Sequence, residues 1–253
     1  MAIHIDLTGR VALITGASQG IGAQIVRTFH AAGAMVLLNH PDVGTTRADA
    51  ERLADELNAV RAGSAAVLAA DVADADAVRV MMQTVRERHG GLDLLVNNAA
   101  ILRDRTLAKM SPDEWQAVLD VNLTGVFHCC KFGLEVMRDG GAIVSLGSIS
   151  AILGFYGQAN YSAAKAGVQA LMRVLARECA RRGIRANAIA PGVINTAMAA
   201  TIPDAARVEM LRQIPLARLG EPQEVADVAL FLCSPLASYV SGQTIEVNGG
   251  WHG

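Results

Sequence analysis

Tyr161 and Lys165 stand four residues apart in Asn160-Tyr161-Ser162-Ala163-Ala164-Lys165, and Ser148 lies thirteen residues upstream. On a helix, positions four apart share a face, so a phenol and an ammonium would point the same way. A cation beside a phenol favours the phenolate and draws its pKa down from about 10. A phenol tuned in that way exchanges a proton near neutral pH. The spacing alone is also what a solvated amphipathic helix carries, with an exposed Tyr. A second, independent site has to separate the two readings.

Such a site follows the first apolar run. Thr15-Gly16-Ala17-Ser18-Gln19-Gly20-Ile21-Gly22 comes directly after it and opens a helical pattern. Gly16 permits a tight strand-to-helix turn, Gly20 lets backbone approach a pyrophosphate, and Gly22 lets helix and sheet pack closely. The helix N-terminus offers N–H groups and a positive dipole end to phosphates. The competing reading is a turn that merely needs glycine; strand before and helix after argue against it. Dinucleotide sites often place a carboxylate at the end of the second strand, on the ribose 2′-OH. Here that strand ends Leu38-Asn39-His40-Pro41-Asp42, with Asn39 or His40 at the position concerned. No anion there repels a 2′-phosphate, so NADP(H) is expected over NAD(H), which stays possible. Asp42 stands close by, and Arg47 is either a phosphate ligand or a solvated helix charge.

Both sites need a scaffold that brings them to one edge. Residues 11–15, 34–38, 65–70, 92–96, 142–146, 184–190 and 244–247 read as strands, about seven in all. Residues 21–32, 46–61, 74–88, 112–137, 160–182 and 204–212 read as helices, and another opens at Glu221. Asp74 is placed to cap the third helix. Ser111, Pro112 and Glu114 form the start signal of the fourth. Gly33 and Gly183 close two others. Regular β–α alternation with strands apolar throughout implies an α/β fold, a Rossmann-type doubly wound parallel sheet with helices on both faces. No repeat or linker interrupts it, so residues 1–253 read as one domain.

Bulk properties narrow the function. Hydrophobic residues make up 52% of 253, enough for a sizeable core and for surface covered by a partner. A net charge of −2 gives no global basic field for nucleic acid or acidic membrane. The start, Met1-Ala2-Ile3-His4-Ile5-Asp6-Leu7, lacks a signal-peptide pattern. No apolar run is long enough to span a membrane. Cys129, Cys130, Cys179 and Cys233 show no metal spacing, so no metal site is expected. They read as buried thiols of a cytoplasmic protein.

The glycine loop, Asn97-Asn98-Ala99-Ala100, Ser148 and Tyr161-x-x-x-Lys165 occur in one order at strand ends. Together they resemble the short-chain dehydrogenase/reductase family over nearly the whole chain. Asp71-Val72, Asn122 and Pro191-Gly192 extend the likeness. Within that family the chain is most similar to 3-oxoacyl-acyl-carrier-protein reductases. That narrower likeness is carried by Gly157-Gln158-Ala159-Asn160-Tyr161, Asn187 to Gly192, Ile214-Pro215-Leu216-Ala217-Arg218 and Ser241-Gly242-Gln243-Thr244, segments shared by members with other substrates.

The resemblance implies a nicotinamide-dependent carbonyl reductase or alcohol dehydrogenase. Tyr161 is the implied proton donor to the substrate oxygen, and Ser148 the residue that holds that oxygen. Lys165 lowers the Tyr161 pKa and binds the nicotinamide ribose; Asn122 holds a water that relays protons to Lys165. Gly16, Ser18, Gln19, Gly20, Ile21 and Gly22 form the phosphate loop, with Asn39 and His40 at the adenosine ribose. Asp71 takes the adenine amino group or caps its strand, Val72 meets the ring, and Asn98, Ala99 and Ala100 line the adenosine side. Backbone of Pro191, Gly192 and Ile194 meets the carboxamide; Thr196 reaches a phosphate or caps its loop. A lid covers residues 193–215, where Met198 touches substrate or packs and Met210 packs.

A 3-oxoacyl thioester, on acyl-carrier protein or coenzyme A, is the implied substrate. Arg103 and Arg105 are either carrier contacts or solvated charges. A homotetramer is implied, with Val126, Phe127, Val168 and Leu171 either across a two-fold axis or in the subunit core. The alternatives are a dehydrogenase of another secondary alcohol, sugar or steroid, and a cofactor-binding protein without catalysis; retention of Tyr161 and Lys165 argues against the last. Three departures stand out: Ala100 for the usual Gly, Gln19 for an Arg common with NADP, and Gly147 where Ser is frequent before Ser148.

Overall fold

Apolar runs of four to ten residues cannot bury themselves alone, and in the computed structural model they pair side by side. The structure describes residues 5–202 and 204–251. Met1–His4, part of the start considered above, and Pro203 of the expected lid lie outside the described residues. In chain order the elements are β1 (Val11–Ile14), α1 (Gly20–Ala31), β2 (Met35–His40), α2 (Thr46–Val60), β3 (Ala65–Ala69), α3 (Ala75–His89), β4 (Leu92–Asn97) and α4 (Pro112–Leu119). Then come α5 (Gly125–Val136), β5 (Met137–Leu146), α6 (Ser150–Leu153), α7 (Ala159–Glu178), β6 (Arg185–Pro191), α8 (Asp204–Gln213), α9 (Pro222–Cys233) and β7 (Thr244–Val247). Among the described residues, seven strands form one sheet in the order β3-β2-β1-β4-β5-β6-β7. Every pairing is parallel.

Side chains alternate across a strand, and both faces are covered. Ala12, Ile14, Leu38, Val96 and Val144 pack against Ile25 and Phe29 of α1 and Val225 and Leu232 of α9. Leu13, Leu37, Leu95 and Ile143 pack on the other face against Val78 and Met82 of α3, Cys130 of α5, and Val168 and Met172 of α7. Full burial of a side chain such as Phe29 stabilises by about 2–3 kcal/mol. The starts of three central strands are tied together. The buried Asp93 carboxylate accepts from Val11 N–H and from Arg10 and Arg138. This fixes the sheet at the end away from the glycine loop.

Several local signals act as expected. Asp74 accepts from the N–H groups of Asp76 and Ala77, Ser111 and Glu114 form a capping box, and Gly33 and Gly183 have positive φ. Three expectations need correction. The helix read as continuous over 112–137 is broken by a π-turn over Asp120–Thr124. The fifth strand begins at Met137, because Met137 already pairs with Leu92. Val126 and Val168 belong to the subunit's own core at 4% and 0% exposure, which leaves Phe127, at 46%, as the outward apolar residue of that set.

Candidate active site

In a parallel sheet all strands end at one edge, and ligands bind where the strand order reverses. Here the order reverses between β1 and β4, so the crevice opens between the segments after Ile14 and after Asn97.

The glycine loop fills one wall. Gly16 and Gly20 have φ of +62° and +57°, a region that favours glycine. A Cβ at Gly16 would lie 2.8 Å from Ala99 Cα, and one at Gly22 would lie 2.3 Å from the Gly16 carbonyl oxygen. The loop is braced from β4. Thr15 Oγ1 accepts from the N–H groups of Asn98 and Ala99, and Asn98 Nδ2 donates to the carbonyls of Thr15 and Gly16. The Asn98 side chain therefore serves the loop. Gln19, exposed, is the N-cap of α1 without a side-chain cap, and no acidic residue stands in the first turn. Ser18, Ile21, Ala99 and Ala100 are half-buried around it.

At the end of β2, Asn39 and His40 are both buried at 1% exposure. Asn39 turns inward: its oxygen accepts from Gly16 N–H at 3.4 Å and its Nδ2 donates to the carbonyls of Leu68 and Ala70. His40 Nδ1 accepts from Asp42 N–H at 3.0 Å. Burial holds the His40 pKa below its ordinary value, so the ring is neutral at neutral pH. Beyond it, Asp42 at φ +56° and Arg47 form an exposed, two-point ion pair. Asp71 accepts from Ala73 N–H in a strand-end turn. Val72 is buried, with its methyl wedged against Gly125, where a Cβ would be 2.7 Å away.

The trio meets at the end of β5. Ser148 follows the strand; Tyr161 and Lys165 share one face of α7. Lys165 is 2% exposed. Its Nζ donates to the Leu146 carbonyl at 2.7 Å and lies 5.6 Å from the Tyr161 ring centre. The expected direction of the Tyr161 shift is reversed. Burial pushes the phenol up to about 12; its hydrogen bond with Ser148 pulls the other way, and the Asp104 charge adds to the rise. Burial also brings Lys165 down to about 8. Desolvation disfavours the charged form of each group, and it is the largest cause of both shifts.

Asn122, fully buried, sits in the π-turn between α4 and α5. Its Oδ1 accepts from Ile101 N–H at 2.9 Å and its Nδ2 donates to the Ile101 carbonyl at 3.0 Å. The side chain thus clamps the segment after β4. A relay water would have to use the main-chain carbonyl, in a turn whose hydrogen-bond ladder is already displaced: Gly125 N–H reaches back to the Asp120 carbonyl.

On the far side, Pro191 ends β6, and Gly192 N–H donates to the Val247 carbonyl. A Cβ at Gly192 would lie 2.9 Å from Asn248 Cα. Ile194 is buried and pairs with Gly220, which closes the loop that contains the segment expected as a lid. Thr196 Oγ1 donates to the Ile194 carbonyl and accepts from Ala199 N–H; its methyl stands 3.6 Å from where a Gly20 Cβ would be. Met198 is exposed, whereas Met210 packs in a small cluster with Ile149, Ile214, Leu219 and Trp251. Arg105 pairs with Glu114, and Arg103 donates to the Leu102 carbonyl.

Other residues around the site have no role assigned from the sequence: Gln158 and Asn160 stand only within a segment of family likeness, and Gln169 is not singled out. Gln169 Nε2 donates to the Ser148 carbonyl, and a Cβ at Gly147 would stand tightly against it, 3.0 Å from that nitrogen. Asn160 Nδ2 donates to the carbonyls of Arg103 and Glu114. Gln158 joins Asp104 to Ser150. The contacts of Asn160 with Arg103 and Glu114 and of Gln158 with Asp104 span segments distant in sequence.

The whole chain has counterparts among known proteins. A family model described as enoyl-(acyl carrier protein) reductase matches residues 16–252. The 3-oxoacyl-[acyl-carrier-protein] reductase FabG of Staphylococcus aureus (strain Mu50) is 44% identical over 243 residues, 95% of this chain and 97% of that one. The reductase of the same name from Vibrio cholerae is 39% identical over 250 residues, 98% and 99% of the two chains. A solved short-chain dehydrogenase/reductase of Brucella melitensis, titled a glucose/ribitol dehydrogenase, superposes with a TM-score of 0.93 at 37% identity, covering 99% of this chain and 100% of its own. The chain belongs to the short-chain dehydrogenase/reductase family. Within it, this is a FabG-like oxidoreductase, and the family implies a nicotinamide dinucleotide as cofactor. The crevice fits such a group: a methyl at Gly16 or Gly22 would collide with Ala99 or the Gly16 carbonyl and displace the loop that cradles it, and the first turn of α1 carries no competing acid.

Proposed function

We propose that this protein reduces a 3-oxoacyl thioester, carried on acyl-carrier protein or coenzyme A, to the 3-hydroxyacyl form with NADPH. The observation that carries the reading is the buried trio, with Ser148 bonded to Tyr161 and Lys165 one turn along the same helix. The likeness to FabG 3-oxoacyl-[acyl-carrier-protein] reductases supports the substrate class. When bound, the nicotinamide supplies the hydride that reaches the carbonyl carbon. Tyr161 donates its phenolic proton to the carbonyl oxygen, and Ser148 hydrogen-bonds that oxygen and orients it. Lys165 binds the nicotinamide ribose and stabilises the phenolate left on Tyr161. The main-chain carbonyl of Asn122 is the acceptor we assign to a water that returns a proton through Lys165.

The phosphate loop is residues 16–22, with Asp71, Val72 and residues 98–100 on the adenosine side, and Pro191, Gly192, Ile194 and Thr196 on the nicotinamide side. NADPH is preferred because no carboxylate ends β2 and the Arg47 guanidinium stands on the rim beyond it. Residues 193–215 act as the substrate lid of a single-domain subunit, and the assembly is a homotetramer.

The test is initial rates with NADPH and NADH against 3-oxoacyl thioesters, enoyl thioesters, simple ketones and secondary alcohols. Turnover of the 3-oxoacyl thioesters above the rest is the expected result. NADPH oxidation with other carbonyls but none with these would refute the substrate class and leave the carbonyl reductase standing.

A further inference from the structure

Ser148 is held by a chain of side chains that starts at the surface. Asp104, in the exposed segment after β4, accepts from Gln158 Nε2 at 2.9 Å. Gln158 Oε1 accepts from Ser150 Oγ at 2.9 Å. Ser150 Oγ also meets Ser162 Oγ at 2.6 Å, and Ser150 N–H donates to Ser148 Oγ at 3.1 Å. Backbone runs beside this chain: Arg105 pairs with Gln158, and Arg105 N–H donates to the Gly157 carbonyl at 2.8 Å.

The polarity of the chain is forced from one end. A carboxylate can only accept, so the Gln158 amide must turn its nitrogen to Asp104 and its oxygen to Ser150. Ser150 then spends its own proton on that oxygen, and so accepts the proton of Ser162. Those contacts anchor the Ser150 side chain, and the N–H of the same residue occupies a lone pair of Ser148 Oγ. The Ser148 proton is left to point onward, toward Tyr161 and the oxygen that Ser148 is assigned to hold. Three segments are locked together by these bonds: the one after β4, the first turn of α6 and the start of α7. Each stands at a different place around the trio.

We propose that Asp104 and Gln158 are positioning residues that, through Ser150, set the place and hydrogen-bond direction of Ser148. The proposal rests on the carbonyl-reductase reading given above. Gln158→Glu sets a second carboxylate against Asp104 and breaks the chain at its forced end. Gln158→Glu/Asp104→Asn makes acid and amide trade places; the new amide donates to the new carboxylate, whose other oxygen still accepts from Ser150.

The experiment is steady-state reduction of an acetoacetyl thioester by full-length enzyme, with kcat and the KM for NADPH measured separately and folding checked by circular dichroism. Gln158→Glu is expected to lower kcat roughly tenfold or more, since small misplacements of a catalytic group cost that much. Its KM for NADPH stays within about twofold, because the loop that binds the cofactor is untouched. The double variant recovers kcat to within about threefold of wild type, the non-additivity expected of directly bonded partners. Wild-type kcat in Gln158→Glu, or a folded double variant with no recovery, would overturn the proposal. Should Gln158→Glu not fold, Asp104→Asn at its exposed position carries the test: a kcat loss of about threefold or more with unchanged KM for NADPH supports it, and wild-type kcat refutes it. A wild-type enzyme that reduces no carbonyl compound removes the underlying reading, and this proposal with it.

Discussion

Lys165 donates a hydrogen bond to the Leu146 carbonyl, 2.7 Å away, and its Nζ lies 5.6 Å from the centre of the Tyr161 ring. The two groups are neighbours on α7, yet the lysine is bonded to the end of β5. An ammonium is thereby buried with a main-chain dipole as its partner. Burial makes such a charge costly, and the cost is measurable.

Lys165 titrates near 8 in the folded protein, brought down from 10.5 by burial. Between those values the unfolded chain binds the proton more readily, so stability rises with pH across that window. Below pH 8 the folded protein carries the full penalty. Replacing Lys165 with Met removes it and also loses the bond to Leu146. The net expectation is an apoprotein more stable at pH 7 by about 2 kcal/mol, with no rise between pH 8 and 9.5. Tyr161, raised to about 12, acts in the opposite sense but only above about 10. Urea unfolding of both proteins at pH 7 and 9.5 checks this; a destabilised variant at pH 7 would contradict it.

Gly22 has no positive φ, so its substitution tests space alone. A methyl there meets the Gly16 oxygen at 2.3 Å and Asn98 Nδ2 at 2.5 Å. Gly22→Ala is expected to destabilise by about 1–3 kcal/mol and to weaken NADPH binding on the order of tenfold or more, since the loop must shift. Gly63, at φ +68° with open space, is the control: Gly63→Ala costs about 1 kcal/mol and leaves NADPH affinity unchanged. Fluorescence titration with NADPH separates the two.

Asn122→Ala removes both bonds to Ile101 from a fully buried position. The loss leaves the Ile101 N–H and carbonyl unpaired and is expected to cost about 2–4 kcal/mol. Hydrogen exchange of residues 101–105 should rise together with the loss of turnover. Unchanged exchange there would mean that the segment is held by Asn160 and Gln158 alone.

Arg47 is held on the rim of β2 by Asp42. Arg47→Ala is expected to raise the KM for NADPH roughly fivefold or more while leaving that for NADH within about twofold, at low salt. Equal effects on both would remove Arg47 from 2′-phosphate recognition.

Much of this could be read from the sequence because it is local. Strand periodicity, the Ser111 and Asp74 caps and the glycine at each turn depend on neighbours a few residues away. The π-turn at Asp120–Thr124 could not be read so easily: Asn122 turns inward to satisfy Ile101, a contact across 21 residues. Asn39 is a similar case, since its amide braces Gly16 and the end of β3. The same limit applies to Tyr161. Spacing gave its neighbour Lys165, but the sign of its pKa shift depends on burial, which only the packed structure shows.

The central claim is that Tyr161 is the proton donor. Its most direct test is the rate of acetoacetyl-thioester reduction by Tyr161→Phe in enzyme saturated with NADPH. The account predicts a fall of about 10²–10⁴-fold with NADPH affinity unchanged. Turnover at the wild-type rate would contradict it.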